Sequence, residues 1–111
     1  MATRSFIGIV NPDKTVTAIY CHYDGYPSGV GATLKTHWAT PESVEALVAL
    51  GDLSTLGLCI ESTTAYHRDC GEELNIRRFT RGTAELLKSA SDAGAEYVYT
   101  WSDGQWQTTR L

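Results

Sequence analysis

IYCHYDGYPSGVGATLKTHW, residues 19–38, is the stretch from which the rest of the chain is best interpreted. Its first part is rich in β-branched and aromatic residues and predicts a strand, its middle is rich in glycine, and its last part predicts a helix. A strand, turn and helix in this order direct backbone N–H groups and the positive end of a helix dipole towards the turn. The stretch therefore predicts a ligand site at the turn, with a preference for an anion.

The glycines of this turn allow two interpretations. Gly29 and Gly31 stand just before the predicted helix, where they would let an anion approach the backbone closely. However, the phosphate-loop pattern GxxxxGK[ST] is absent, and GxGxxG fails because Leu34 stands at its last glycine position. Glycine also serves turns that need a positive φ. Anion binding and turn geometry both remain open.

Two hairpins are predicted at the ends of the chain. Ser5–Val10 and residues 15–24 flank a turn at 11–14 that contains proline and turn-forming polar side chains. The second strand of this hairpin is apolar on both faces, which indicates a central strand covered on each side or a face that meets a partner. Residues 97–110 form the other hairpin, because Asp103-Gly104 favours a two-residue type I′ turn. That turn sets Trp101 opposite Trp106 and Tyr99 opposite Thr108.

Helices and short strands are predicted between the hairpins. The helices lie at 32–39, at 41–50 with Thr40 as N-cap, and at 83–93 with Thr83 as cap. Short strands are expected at 58–60 and 76–80, and a long polar loop at 61–75. The result is a single α+β domain over residues 1–111. We expect a mainly antiparallel sheet, made of the two hairpins plus one or two short strands, with about three helices packed on one face.

Composition narrows the possible classes of function. The net charge of −4 and the scattered nine basic residues argue against binding of duplex nucleic acid. No apolar run is long enough to span a membrane, and three cysteines without paired spacing indicate reduced thiols in a cytoplasm. A core of this size needs neither a metal nor a cofactor to fold, and we expect none.

Two short segments pair a histidine with an aspartate. His22 and Asp24 share a strand face at spacing i, i+2, and His67 and Asp69 have the same spacing in the 61–75 loop. Together they would offer two imidazoles and two carboxylates for a metal ion or for general acid and base catalysis. The spacing matches no established metal signature, and Asp24-Gly25 is also a good turn.

Arginines are concentrated after this loop. Arg68, Arg77, Arg78 and Arg81 lie within fourteen residues. If the loop closes over the glycine turn, Arg68 and Asp69 would join Tyr23, Asp24 and Tyr26 in one anion pocket, where tyrosines stack a base. Alternatively, the arginines pair with Asp69, Glu72 and Glu73 as ordinary surface ion pairs.

The opening TRSFIGIVNPDKTVTAIYCHYDGYPSGVG, followed by TPESVEALVALGDLSTLG, resembles a family of small bacteriophage and prophage proteins. Members begin TRS-IG and carry a GTVTAIYCHWDGYP-like block, and YHRDCGE at 66–72 and the terminal hairpin extend the likeness. Tyr23 replaces a tryptophan of the family and His67 a glycine, which weakens the metal hypothesis. The resemblance implies a phage-encoded accessory protein in the host cytoplasm, often of a class that inhibits or decoys host defence.

Three functions follow as hypotheses. The first is a non-enzymatic binder that inhibits a host defence protein or sequesters a nucleotide-like anion through Tyr23, Asp24, Tyr26, Gly29, Gly31, Arg68 and Asp69. The second is a small metal-dependent hydrolase or phosphodiesterase that uses His22, Asp24, His67 and Asp69. The third is a structural protein that forms homo-oligomers.

Overall fold

The computed structural model describes residues 2–111 and contains seven strands and four α-helices. The strands are β1 (Ser5–Val10), β2 (Val16–Cys21), β3 (Leu53–Thr55), β4 (Thr64–Ala65), β5 (Arg77–Phe79), β6 (Tyr97–Ser102) and β7 (Gln105–Arg110). The helices are α1 (Ala32–His37), α2 (Pro41–Val48), α3 (Tyr66–Cys70) and α4 (Thr83–Asp92), and a π-helical turn at Pro27–Gly31 precedes α1. The predicted α+β class is confirmed.

All seven strands belong to one sheet in the order β4-β3-β2-β1-β6-β7, with β5 beside the first half of β2. Most neighbours are antiparallel, as predicted, but β1 runs parallel to β6 and β2 parallel to β3. The parallel β1–β6 pair joins the two terminal hairpins in the middle of the sheet.

Both predicted terminal hairpins are present, and the second has the predicted register. In the first, β1 and β2 pair in an antiparallel ladder that ends at Val10 opposite Val16. In the second, Trp101 lies opposite Trp106, and their rings meet edge to face at 5.3 Å. Asp103 has a φ of 52° and Gly104 a φ of 74°, as a type I′ turn requires. Local turn chemistry therefore determines the register of the second hairpin.

The helices cover both faces of the sheet, so the expectation of one helical face is wrong. Odd-numbered residues such as Ile7 and Ile19 pack with Leu34 of α1 and Leu47 of α2. Even-numbered residues pack on α4 in a second cluster that contains Phe6, Val16, Ala18, Leu86, Ala90 and Val98. Because β1 and β2 are apolar on both faces, each face needs its own helical layer. The prediction of a central β2 covered on each side is confirmed.

The segment between α2 and β5 differs most from expectation. The third strand is Leu53–Thr55 rather than residues 58–60, because the buried Leu53 pairs with Cys21 whereas Leu58 is exposed. Residues 61–75 contain β4 and α3 instead of an unbroken loop. The predicted strand at 76–80 is confirmed as β5, with narrower bounds.

The helix boundaries follow from local signals. Thr40 caps α2 as predicted: its hydroxyl accepts from the Ser43 N–H at 3.2 Å, and Ser43 Oγ accepts from the Thr40 N–H. In contrast, Gly82 and not Thr83 is the N-cap of α4, and no side chain caps that helix.

Candidate functional site

The predicted site begins where β2 leaves the sheet. Beyond Cys21 the chain stays beside β3, because the His22 N–H donates to the Leu53 carbonyl and the Tyr23 N–H to the Ser54 carbonyl, both at 3.0 Å. Asp24 then adopts a φ of 59°, in the left-handed region that aspartate tolerates better than most residues. This turn directs the chain past Thr3, just before β1, and into the π-helical turn.

Backbone N–H groups of the glycine turn are directed inwards. Four of them donate to carbonyls of the chain: Gly25 to Thr3 at 2.9 Å, Gly29 to Tyr26 at 2.9 Å, Val30 to Asp24 at 2.8 Å, and Gly31 to Tyr26 at 3.5 Å. The π-helical geometry turns the last three of these donors back onto the carbonyls of Asp24 and Tyr26. The turn therefore has none of these four N–H groups free for an anion. Its glycines do not have a positive φ, so the conformational reason expected for them is wrong. A Cβ atom would collide with the Thr3 carbonyl oxygen at Gly25 and with the Asp24 carbonyl oxygen at Gly29, so close packing of the chain requires glycine there.

Gly31 also has a packing role. A Cβ atom at this position would lie 3.1 Å from the ring of Tyr99, which is fully buried. The Tyr99 hydroxyl in turn donates to the Gly25 carbonyl at 2.6 Å. Burial raises the pKa of the Tyr99 phenol to about 12, so it remains a hydrogen-bond donor at any physiological pH. Strand β6 thus holds the glycine turn by one buried hydrogen bond and one close contact.

Arg68 and Asp69 are engaged with their own segment. The guanidinium forms a two-pronged pair with Asp69, with N to O distances of 2.9 and 2.8 Å, and also donates to the carbonyls of Ile60 and Thr63. Asp69 accepts the Ala65 N–H at 2.8 Å. Hydrogen bonds from Arg68 lower the pKa of Asp69 and keep it ionised. The observed contacts give Arg68 a structural role in tying residues 60–63 to α3.

The two parts of the predicted pocket are not joined by these contacts. Strand β3 lies between β2 and β4, and α3 follows directly on β4. Within the described residues, no hydrogen bond or ion pair links residues 22–31 to residues 66–72. The expectation that Arg68 and Asp24 meet in one pocket therefore gains no support.

The two histidines have separate hydrogen-bond partners. His22 Nδ1 shares a hydrogen bond with the Tyr20 hydroxyl at 2.7 Å, and His67 Nδ1 lies 2.8 Å from the Glu72 carbonyl, to which it donates when protonated there. Among residues 2–111, no three His, Cys, Asp or Glu side chains come close enough to hold a metal ion. The four-residue metal constellation with Asp24 and Asp69 is therefore not assembled.

Another arginine has a partner that sequence reasoning missed. Arg77 forms a bidentate pair with Asp52, and Asp52 Oδ1 also accepts the Tyr20 N–H at 2.9 Å. This N–H lies at the gap in β2 between its pairing with β5 and with β3, where no strand supplies an acceptor. Asp52 fills that gap. The sequence indicates this role of Asp52 only by its position directly after Gly51, at the start of a turn.

Three predicted residues do form an exposed surface, which we call the turn surface: Tyr23, Asp24 and Tyr26. The two tyrosine side chains are 45% and 40% exposed. The Tyr26 hydroxyl donates to Asp24 Oδ1 at 3.2 Å, and the negative charge of Asp24 raises the pKa of Tyr26. The His22 ring packs edge to face on Tyr23 at 4.5 Å. Two aromatic rings and a carboxylate are thus presented on a turn that internal hydrogen bonds hold.

A concave site lies elsewhere, and the sequence did not indicate it. A cavity of about 370 Å³ opens at the carboxyl ends of the parallel strands β1 and β6, against the first turn of α2. Its charged lining residues are Lys14, Glu45 and Asp103. A neighbouring cavity of about 240 Å³ shares Ile9, Asn11 and Glu45 with it. We call the pair the α2 groove. The α2 groove depends on the parallel pairing of β1 with β6, and no local sequence pattern predicts that pairing.

Among the described helices, none has the length and apolar character needed to cross a bilayer. Comparisons with protein-family models, with curated proteins and with solved structures give no match for the chain.

Proposed function

We propose that this chain is a small phage-type accessory protein that acts by binding a host protein through the turn surface. The observation that supports the proposal is the exposure of Tyr23 and Tyr26, 45% and 40%, on either side of Asp24. Tyrosines are enriched among the residues that contribute most to protein interfaces, because they bury a large area at low entropic cost. Exposed apolar groups that lie together in one patch, rather than singly, mark interaction sites on protein surfaces.

Charge specifies the chemistry of the partner. Asp24 accepts only the Tyr26 hydroxyl in the described part of the chain, and no cation is within ion-pair distance of it. The chain as a whole carries a net charge of −4. We therefore propose a partner surface with an apolar depression for the tyrosines and an Arg or Lys side chain for Asp24.

The test is affinity capture with matched variants, followed by measurement on the purified partner. Tyr23→Ala, Tyr26→Ala and Asp24→Asn remove the proposed contacts, and Leu58→Ala removes another exposed apolar side chain as the control. We expect the affinity to fall by at least about 30-fold for a tyrosine variant, the size of an interface hot spot. A partner held equally tightly by the tyrosine variants and by the control would refute the site.

The proposed setting is inhibition of host defence in the host cytoplasm, as the sequence resemblance implies. Expression of the protein in a bacterium that carries a defence system should restore plaque formation by a sensitive phage. The Tyr23→Ala variant should lose this effect while remaining folded. If the wild type and the variant both restore plaque formation, the turn surface is not required for the activity.

A second candidate is capture of a small nucleotide-like anion, and the α2 groove is the observation in its favour. Lys14 lines it and makes no ion pair within residues 2–111, and the cavity volume suits a small ligand. However, Glu45 and Asp103 place two carboxylates beside this single ammonium, and Trp101 is too buried to stack a base. Calorimetry with mononucleotides tests the candidate: Lys14→Gln should abolish any binding, and Lys35→Gln should not.

A further inference from the structure

We propose that strand β7 is a dimerisation edge, on which a second copy of this chain adds its own β7 antiparallel to form one continuous sheet. β7 is the last strand of the sheet and spans six residues, Gln105–Arg110. Among the strands of residues 2–111 its one neighbour is β6, and most of its residues are exposed. One side of its backbone is therefore free to pair.

The direction of the free backbone groups follows from the ladder. The Leu111 N–H donates to the Glu96 carbonyl at 2.9 Å, so odd-numbered residues of this strand direct their backbone towards β6. By alternation, Trp106, Thr108 and Arg110 direct their N–H and C=O groups outwards. Two copies of the strand can therefore form three hydrogen-bonded residue pairs. Each pair exchanges two N–H···O bonds, so the ladder between the copies would have six.

Symmetry then selects one register. A twofold axis perpendicular to the sheet relates the two antiparallel strands. This rotation keeps each side chain on its own face of the sheet, so residues that are opposite each other must point to the same face. Only pairing of Thr108 with the partner's Thr108 lets all three outward residues of both copies bond. In this register Trp106 lies opposite Arg110 of the partner subunit, twice.

The side chains agree with that register. Arg110 makes no ion pair within the described residues and would lie over an indole ring, an arrangement that attracts a cation. Threonine opposite threonine is a favourable cross-strand pair. The two Arg110 side chains are each opposite Trp106 and not opposite each other, so no like charges meet across the ladder.

The other edges of the sheet are protected in the usual ways, and β7 is not. β4 has two residues, and β5 has three, of which two are arginines. Natural proteins shield long edges with lysine, proline, bulges or inward charges. β7 contains no lysine or proline, and its register with β6 is unbroken over all six residues. Such an edge fits a strand that is paired when the protein functions.

The first experiment measures the mass of the protein in solution by light scattering and sedimentation at micromolar concentrations. Wild type should have a mass of about 24 kDa, twice the 12.2 kDa of one chain. Thr108→Pro removes a donor that the monomer does not use and two hydrogen bonds at the centre of the dimer, so the dimer should weaken roughly 10- to 100-fold.

Thr108→Lys is a second variant with the same expected direction, since it sets two lysines opposite each other on the axis. Gln107→Lys is the matched control: it adds the same charge to the same strand but places it opposite Thr109 of the partner subunit. Circular dichroism verifies that each variant is folded. A monomeric wild type, or a dimer that both Thr108 variants leave intact, would overturn the proposal.

Cysteine cross-linking tests the register. In a background with Cys59→Ser and Cys70→Ser, which removes the two exposed thiols, Thr108→Cys should form a disulfide between copies. Residues in a hydrogen-bonded pair have Cα atoms about 5.5 Å apart, within disulfide range. Gln107→Cys should not cross-link. The reverse pattern, or no cross-link at either position, would contradict this dimer.

Discussion

Tyr99→Phe is the substitution that best tests how the sheet supports the glycine turn. It removes one oxygen atom and with it the 2.6 Å hydrogen bond to the Gly25 carbonyl. A neutral buried hydrogen bond contributes about 1 kcal/mol, and an acceptor left without its partner costs about 1 to 3 kcal/mol. We therefore expect the free energy of unfolding to fall by about 2 kcal/mol and the Tm by roughly 10 °C.

Tyr97→Phe is the control. Tyr97 is on the same strand, and its ring stacks on that of Tyr99 at 6.5 Å, but its hydroxyl makes no hydrogen bond among residues 2–111. Its removal should change the free energy of unfolding by less than about 0.5 kcal/mol. Urea titrations of the three proteins give the comparison directly.

Hydrogen exchange adds a local measurement. In the Tyr99→Phe variant the amides of Gly25 and Val30 should exchange faster, because the turn loses its tie to β6 whereas β1 and β2 keep their ladder. Equal stability of the two tyrosine variants, or unchanged exchange in the turn, would show that packing of Gly31 on the ring is sufficient and that the hydroxyl is dispensable.

Three further outcomes are expected. Burial raises the pKa of the Cys21 thiol to about 12 from 9.0, so this thiol should resist thiol reagents at neutral pH while the two exposed cysteines react. Between about pH 9 and 12 the unfolded state loses the Cys21 proton while the folded state keeps it. The free energy of unfolding should therefore fall by up to about 1.4 kcal/mol per pH unit in this range, measurable as a falling urea midpoint. Asp52→Ala leaves the Tyr20 N–H unpaired and should cost about 2 to 3 kcal/mol by the same titration. Arg77→Met keeps that hydrogen bond and removes a guanidinium that is 36% exposed, so it should cost about 0 to 1 kcal/mol. Equal losses would contradict the role of Asp52 in accepting the Tyr20 N–H. Thr40→Ala removes the cap of α2 and should lower the free energy of unfolding by about 1 kcal/mol, and an unchanged midpoint would show that Pro41 alone starts the helix.

The candidate site was predictable only in part. Tyr23, Asp24 and Tyr26 are exposed and lie within four residues of sequence, so a local pattern is enough to predict that they lie together. For Arg68 the sequence leaves two alternatives, an anion pocket shared with the turn or an ion pair with Asp69. The structure shows the ion pair, and two carbonyls of the same segment also hold the guanidinium. Sequence proximity predicts such short-range pairs well, whereas a long-range pocket depends on which strand lies between the segments.

The sequence by itself determined the elements whose information is local. Asp103-Gly104 sets the register of the second hairpin, Thr40 and Pro41 start α2, and the apolar character of both faces of β2 places that strand in the centre of the sheet. Only the tertiary structure decided the parallel pairing of β1 with β6, the placement of helices on both faces, and the Asp52 contact that bridges β3 and β5. These features join residues that are far apart in the chain. The contacts stabilise the protein only once the intervening segments have folded, so no local stretch of sequence predicts them. For residues 19–38 this means that close packing inside the fold requires the glycines, whereas Tyr23 and Tyr26 stay exposed.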